Sequence, residues 1–215
     1  MKDRRNLIFW MGGIVSQSLL ELVTSVLEKT EAQEVNLLAR PHIQEIIESL
    51  SLGKIGDAQL IEEINTTGLS QPKLDQILME IKDGLYPQFS TLDVIKLLPP
   101  KYQRWLICEF PAEWFWHFYE RYEVKDYFQK DHVIFLSELG LSRIEPDLFE
   151  LLPHYLNDNK ENCLYFDKDS KRIISAINSL FPAAIYVDAT RLEREFIMRN
   201  FIVRQQPLHI PNVAL

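Results

Sequence analysis

The stretch "NLIFWMGGIVS", Asn6 to Ser16, decides how the rest of the chain is read. Leu7–Met11 runs without a polar break into the pair Gly12 and Gly13. A short continuous apolar run closed by glycines is the pattern of a strand covered on both faces, as in a parallel sheet. Ligands of such sheets gather at the carboxyl ends of the strands. The residue at that end is Trp10, an indole with no nucleophilic oxygen. No aspartate or glutamate occurs from Arg4 to Leu20, so shifting the register by a residue or two brings no acid to the strand tip.

Four further apolar segments share this character: Arg104–Cys108, His132–Leu136, Cys163–Asp167 and Ala184–Val187. Helical patterns separate them. Leu148, Leu151, Leu152 and Tyr155 recur at i, i+3, i+4, i+7, with Pro146 suited to the first turn. Ile173, Ile174, Ile177 and Leu180 repeat the pattern after Ser170, read as an N-cap. Thr190 and Glu193 suggest a capping box ahead of Leu192 and Phe196. Together these predict an α/β fold, a Rossmann-like doubly wound parallel sheet.

The gap between the first two strands is too long for a simple crossover and reads as helix. Leu19, Leu22, Val23, Val26 and Leu27 form one apolar stripe. Leu60, Ile61 and Ile64, opened by Asp57, form another. Leu74, Ile77, Leu78 and Ile81, closed by Gly84, form a third, and "HIQEIIESL" (His42–Leu50) supplies a fourth. "GLYPQFS" (Gly84–Ser90) is the return linker. The chain therefore divides into an α/β core, residues 1–15 and 90–215, and a small all-helical cap, residues 16–89.

The 215 residues are 47% hydrophobic and 25% charged, ordinary for a globular chain, and carry a formal net charge of −8. That balance argues against nucleic acid as a partner. Cys108 and Cys163 lie inside apolar segments, as buried thiols do in a reducing compartment. The amino-terminal segment is basic and then apolar, like a signal peptide. Gly12, Gly13, Ser16, Gln17 and Ser18 interrupt it, and no small-residue cleavage site follows. No apolar run has the length of a membrane span. The expectation is a soluble, cytoplasmic protein without a membrane partner.

Four stretches together resemble the haloacid dehalogenase (HAD)-like hydrolase superfamily. "LIFWMGGIV" is similar to its first motif, a strand ending in aspartate before a Gly-Gly turn. "FLSELGLSRIEPDLFELL" (Phe135–Leu152) is similar to the third-motif region. "LYFDKDSKRIISAI" (Leu164–Ile177) is similar to the fourth, where a strand ends in paired aspartates. "GKIGDAQLIEEI" (Gly53–Ile64) is similar to a recurrent start of a cap helix. The resemblance implies a covalent mechanism in which the first-motif aspartate attacks phosphorus or carbon. In the phosphatases a Mg²⁺ bridges that aspartate, a fourth-motif carboxylate and the phosphate. It also implies a hydroxyl after the second strand and a lysine in the third motif.

This chain departs from those parts. The nucleophile position is Trp10, the second-acid position Gly12 and the hydroxyl position Cys108, followed by Glu109. The lysine position is Arg143, and the fourth pair reads Asp167–Lys168. The resulting expectation is a catalytically inactive HAD-like protein with a binding or regulatory role, in which Trp10 plugs the site and packs the cap against the core. No resident metal or cofactor is expected. An atypical phosphatase or dehalogenase, the alternative that would call for Mg²⁺, would draw on Asp167, Asp169 or Cys108. A structural interaction module with a sealed pocket is the third reading.

Candidate residues for a small anionic ligand are Gly12, Gly13, Cys108, Arg143, Asp167 and Lys168. A guanidinium suits phosphate or carboxylate, and a glycine turn can cradle an anion. Lys168 brings a cation that disfavours a divalent metal and partly replaces its charge. Finally, "FPAEWFWHFYERYEVKDYF" (Phe110–Phe128) is strongly aromatic. Trp114, Phe118 and Tyr122 share a helical face that suits the sheet, leaving Phe115, Trp116 and Tyr119 for a homodimer, a protein partner or the carboxyl-terminal tail.

Overall fold

The computed structural model describes residues 5–29, 43–65, 69–141 and 147–203. Five strands form one parallel sheet: β1 (Asn6–Trp10), β2 (Gln103–Cys108), β3 (Val133–Phe135), β4 (Cys163–Asp167) and β5 (Ala183–Ile185), in the order β3-β2-β1-β4-β5. β1 is central. Trp10 stands opposite Ile107 of β2, and Phe9 lies between Leu106 of β2 and Phe166 of β4. The chain leaves β1 toward β2 on one side and later places β4 on the other. β1 is thus a switch point, and the carboxyl ends of β1, β2 and β4 open side by side, where a doubly wound sheet binds its ligands.

Alternation along β1 separates two environments. Phe9 stacks on Phe166 at 5.1 Å and meets Phe128 and Phe196 edge-on. Trp10 points to the opposite face, which it shares with Asp167 and its helix partner. Both are fully buried.

Between β1 and β2 run α1 (Leu19–Lys29), α2 (Ile43–Ser51), α3 (Asp57–Asn65), α4 (Gln71–Asp83) and α5 (Phe89–Lys96). α1 packs on α2 and α4, and α3 packs on the same two helices. The predicted α1 stripe is buried throughout. The return segment Gly84–Ser90 is shorter than the sequence suggests, because α5 already begins at Phe89. It crosses the outgoing chain: Pro87 bridges Ser16, and Gln88 N–H donates to Val15 O at 2.7 Å. α5 then packs on α9 (Ala189–Met198), on the sheet side of the molecule.

The remaining helices are α6 (Ala112–Arg121), α7 (Leu148–Leu156) and α8 (Ser170–Asn178). Three local expectations are corrected. Ser170 is the first residue of α8, and Asp169 is its cap, accepting from Lys171 N–H at 2.7 Å. Asp188, not Thr190, caps α9, accepting from Arg191 N–H at 2.8 Å. Carboxylates displace hydroxyls at both ends because each stands one residue ahead of the helix, with an N–H two residues on for Asp169 and three residues on for Asp188 within reach. The α8 stripe is also reassigned. Ile173 is buried, whereas Ile174, Ile177 and Leu180 are exposed, since α8 docks through Ile173 and Ala176. Pro146 lies outside the described residues.

Most aromatics of α6 are covered within the chain, while Trp116 stays partly exposed. Trp114, Phe115, Phe118 and Tyr119 are buried, and Trp116 packs edge-on against Tyr119 and Phe135 under Lys130. Tyr119 donates its hydroxyl to Phe128 O at 2.8 Å. Among the described residues, no helix is long and apolar enough to cross a membrane.

Candidate ligand site at the strand ends

Trp10 reaches the end of β1 with its indole N–H needing an acceptor. Glu109, the residue after β2, supplies it: Trp10 Nε1 donates to Glu109 Oε2 at 2.7 Å. The other oxygen, Oε1, accepts from Leu19 N–H at 2.9 Å. Leu19 is the first residue of α1, so its N–H has no partner within the helix. The preceding residue caps the same helix: Ser18 N–H donates to Glu21 Oε2 at 2.9 Å, and Glu21 N–H donates to Ser18 Oγ at 3.2 Å. This reciprocal box, with Glu109 beneath it, ties the first helix of the insertion to the tips of β1 and β2.

The glycine pair is explained by this crowding. A Cβ on Gly12 would stand 2.0 Å from Glu109 Oε1. Gly13 has φ +84°, a conformation costly for other residues, and its Cα faces the Lys168 stem.

On the β4 side, Asp167 is fully buried and donors from three residues converge on it. Arg172 Nε donates to Oδ2 at 2.6 Å and Nη2 to Oδ1 at 3.2 Å. Asp169 N–H donates to Oδ1 at 2.8 Å, and the Tyr165 hydroxyl donates to Oδ2. Tyr165 is there because residues two apart on a strand share a face. Arg172 is there because a first-turn helical side chain points back toward the helix start. Its guanidinium carbon lies 4.1 Å from the centroid of the Trp10 ring, a cation–π contact sheltered from water. Asp169 adds a looser contact to Nη1 at 3.4 Å.

Burial works against the charge on Arg172, but hydrogen bonds to Asp167 and its negative charge outweigh that and hold the guanidinium pKa above its ordinary value. For Glu109, burial is the largest influence and raises the pKa; Leu19 N–H, the Arg172 charge and Trp10 N–H oppose it. With both oxygens accepting N–H bonds, the geometry suits the ionised carboxylate. Burial, then the Asp167 charge, push the Tyr165 phenol well up, keeping it a donor.

Of these groups, Glu109, Asp169 and Arg172 form the floor of a cleft of about 550 Å³ whose walls include Ser18, Leu19 and Glu21 of the α1 start, Gln44 and Glu48 of α2, and Lys168 and Lys171. Of the residues singled out in the sequence, Gly12, Gly13, Lys168 and Asp169 line it. Asp167 lies beneath, wholly engaged. Cys108 is apart: its thiol faces Met11 Sδ at 3.5 Å and Phe110 O at 3.7 Å, and burial pushes its pKa well up. Arg143 falls outside the described residues. Lys168 is exposed and pairs with Glu21 at 3.3 Å, so the cation that neutralises Asp167 is Arg172, not Lys168. Arg172 is the residue sequence reasoning missed. Its signal was a base in the first turn of the helix after an acid-tipped strand.

Magnesium, the ion that the resemblance implies, prefers several oxygen ligands at near-octahedral positions. The donor set does not fit it. Trp10 offers no oxygen, and both oxygens of Asp167 and of Glu109 are committed to protein donors. Among the described residues, no group of three or more histidine, cysteine, aspartate or glutamate side chains is placed to hold a metal.

No family model and no curated protein matches the sequence. Similarity appears at the level of structure. A HAD family enzyme from Bacteroides thetaiotaomicron superimposes with a TM-score of 0.68 at 18% identity, over 86% of this chain and 95% of that one. A predicted HAD-like family hydrolase from Porphyromonas gingivalis gives 0.67 at 16% identity, over 95% and 100%. L-2-haloacid dehalogenase from Xanthobacter autotrophicus, with chloropropionic acid covalently bound, gives 0.61 at 14% identity, over 90% and 82%. At these identities the likeness is one of fold, and it is the HAD-like fold.

Proposed function

We propose that this chain, which carries the HAD-like fold, is a non-catalytic binding or regulatory protein that keeps the architecture of a hydrolase without its chemistry. One observation carries the reading: the acid at the tip of β4, Asp167, is closed by the Arg172 guanidinium beneath the face of Trp10. A covalent route needs a carboxylate free to attack, and here β1 ends in an indole. A metal route needs Asp167 released, and breaking a buried ion pair costs about 3–5 kcal/mol. The residues 16–89 act as a cap over the strand ends, fastened to the core through Glu109 and Leu19 N–H. What remains for a ligand is the outer cleft, with its mixed charges from Glu21, Glu48, Lys168 and Lys171.

The test is turnover of p-nitrophenyl phosphate and of a 2-haloacid with and without Mg²⁺. The expected result is no rate above background for the protein as it stands. A metal-dependent rate abolished by Asp167→Ala would overturn the reading in favour of an atypical hydrolase. A thermal-shift screen with small phosphorylated and carboxylated compounds then identifies occupants of the outer cleft, because a ligand that binds only the native state raises its midpoint.

A further inference from the structure

The donors around Glu109 are arranged around its carboxylate rather than around its side chain as a whole. Trp10 Nε1–H comes from the tip of β1, Leu19 N–H from the start of α1, and the charge of Arg172 from the first turn of α8. Two donors from different elements thus meet on one pair of oxygens, and the Arg172 guanidinium, seated against the Trp10 ring, lines the same cleft. The glycine at position 12 leaves room for them, since any Cβ there would overlap Oε1. Glu109 is only 8% exposed, yet it forms part of the cleft floor, so the place it fills is continuous with the outside.

From this geometry we infer that Trp10 Nε1–H and Leu19 N–H, with the Arg172 guanidinium lining the same cleft, form a seat for a small carboxylate, and that the chain fills this seat with its own Glu109. The cleft is then self-ligated at its inner end. Glu109 acts as a tethered anion that ties α1 to the sheet, as Arg172 acts as a tethered cation that ties α8 to Asp167 of β4. Tethering is what makes the arrangement work: desolvation opposes a charge at this depth, and a side chain held by the backbone avoids the cost of localising a free ion. A free carboxylate enters only when Glu109 is removed, and then weakly. The inference rests on the proposed reading of the cleft, but its test is separate, because anion rescue reports on the seat and turnover reports on activity.

The experiment is chemical rescue of the full chain by sodium formate, with sodium chloride at matched ionic strength as control. In Glu109→Ala the seat is empty and its donors are orphaned. The thermal midpoint should lie below that of the unsubstituted protein and rise saturably by a few °C at about ten times the formate dissociation constant. The unsubstituted protein should respond to formate no more than to chloride. Equal responses in the two proteins, or a saturable formate response in the unsubstituted one, would overturn the inference. Glu109→Gln provides the arm that stands if the alanine variant does not fold. It preserves the shape but presents an amide N–H₂ toward an N–H donor, so its midpoint should fall below the unsubstituted value and ignore formate. A glutamine variant as stable as the unsubstituted protein would show that no anion is needed there.

Discussion

Phe9 and Trp10 are neighbours on the central strand, both aromatic and both wholly buried, yet they hold the molecule together in different ways. Phe9 enters a cluster of rings, Phe166, Phe128 and Phe196, where only shape and apolar area count. Trp10 enters a chain of polar partners: its N–H feeds Glu109, which holds α1, and its ring face covers the guanidinium that closes Asp167. One face of the sheet is a conventional core. The other places buried charge where a ligand-binding fold would keep its chemistry, and satisfies that charge from within. A buried charge with all its partners specifies one geometry, and losing a single partner is costly.

That asymmetry ranks the effects of substitution. Arg172→Met leaves Asp167 buried without its cation and should cost about 3–5 kcal/mol by denaturant unfolding. Asp167→Asn in the same chain should return part of the loss, because the uncompensated charge is the source of the cost; no recovery would mean that packing of the arginine stem dominates. Trp10→Phe keeps a ring but deprives Glu109 of a donor, and should cost ~1.5–3 kcal/mol. The effect should be largely absent in a Glu109→Ala background, where a double-mutant cycle exposes the coupling. Phe9→Leu on the apolar face should cost only ~1 kcal/mol, with no coupling to Glu109. If the Phe9 change proved the costlier of the two, the contrast drawn between the faces would fail.

Much of the fold was legible because parallel strands covered on both faces read as continuous apolar runs. β4 falls on the residues expected, and the other strands differ only at their ends. The apolar stripe of α1 was legible for the same reason, since one side of the helix is buried along its whole length. α8 misled: its isoleucines follow a helical period, but the face that docks carries Ile173, Ala176 and the ion-pairing Arg172. Hydropathy weights apolar side chains and cannot show that a guanidinium belongs inside. Trp10 and Asp167 were visible as departures from a motif. Their partners were harder to see, because Glu109 reaches Leu19 across 90 residues of sequence. A base five positions after a strand-tip acid acquires meaning only once the helix start is fixed by the Asp169 cap.

The central claim is that Asp167 has its cation already. The most direct measurement is a crystal structure grown with Mg²⁺ and beryllofluoride at millimolar concentration. The account predicts Arg172 in place on Asp167, Trp10 over it, and no ion coordinated at the strand ends. A magnesium bound to an Asp167 oxygen at about 2.1 Å, with Arg172 swung away, would contradict it.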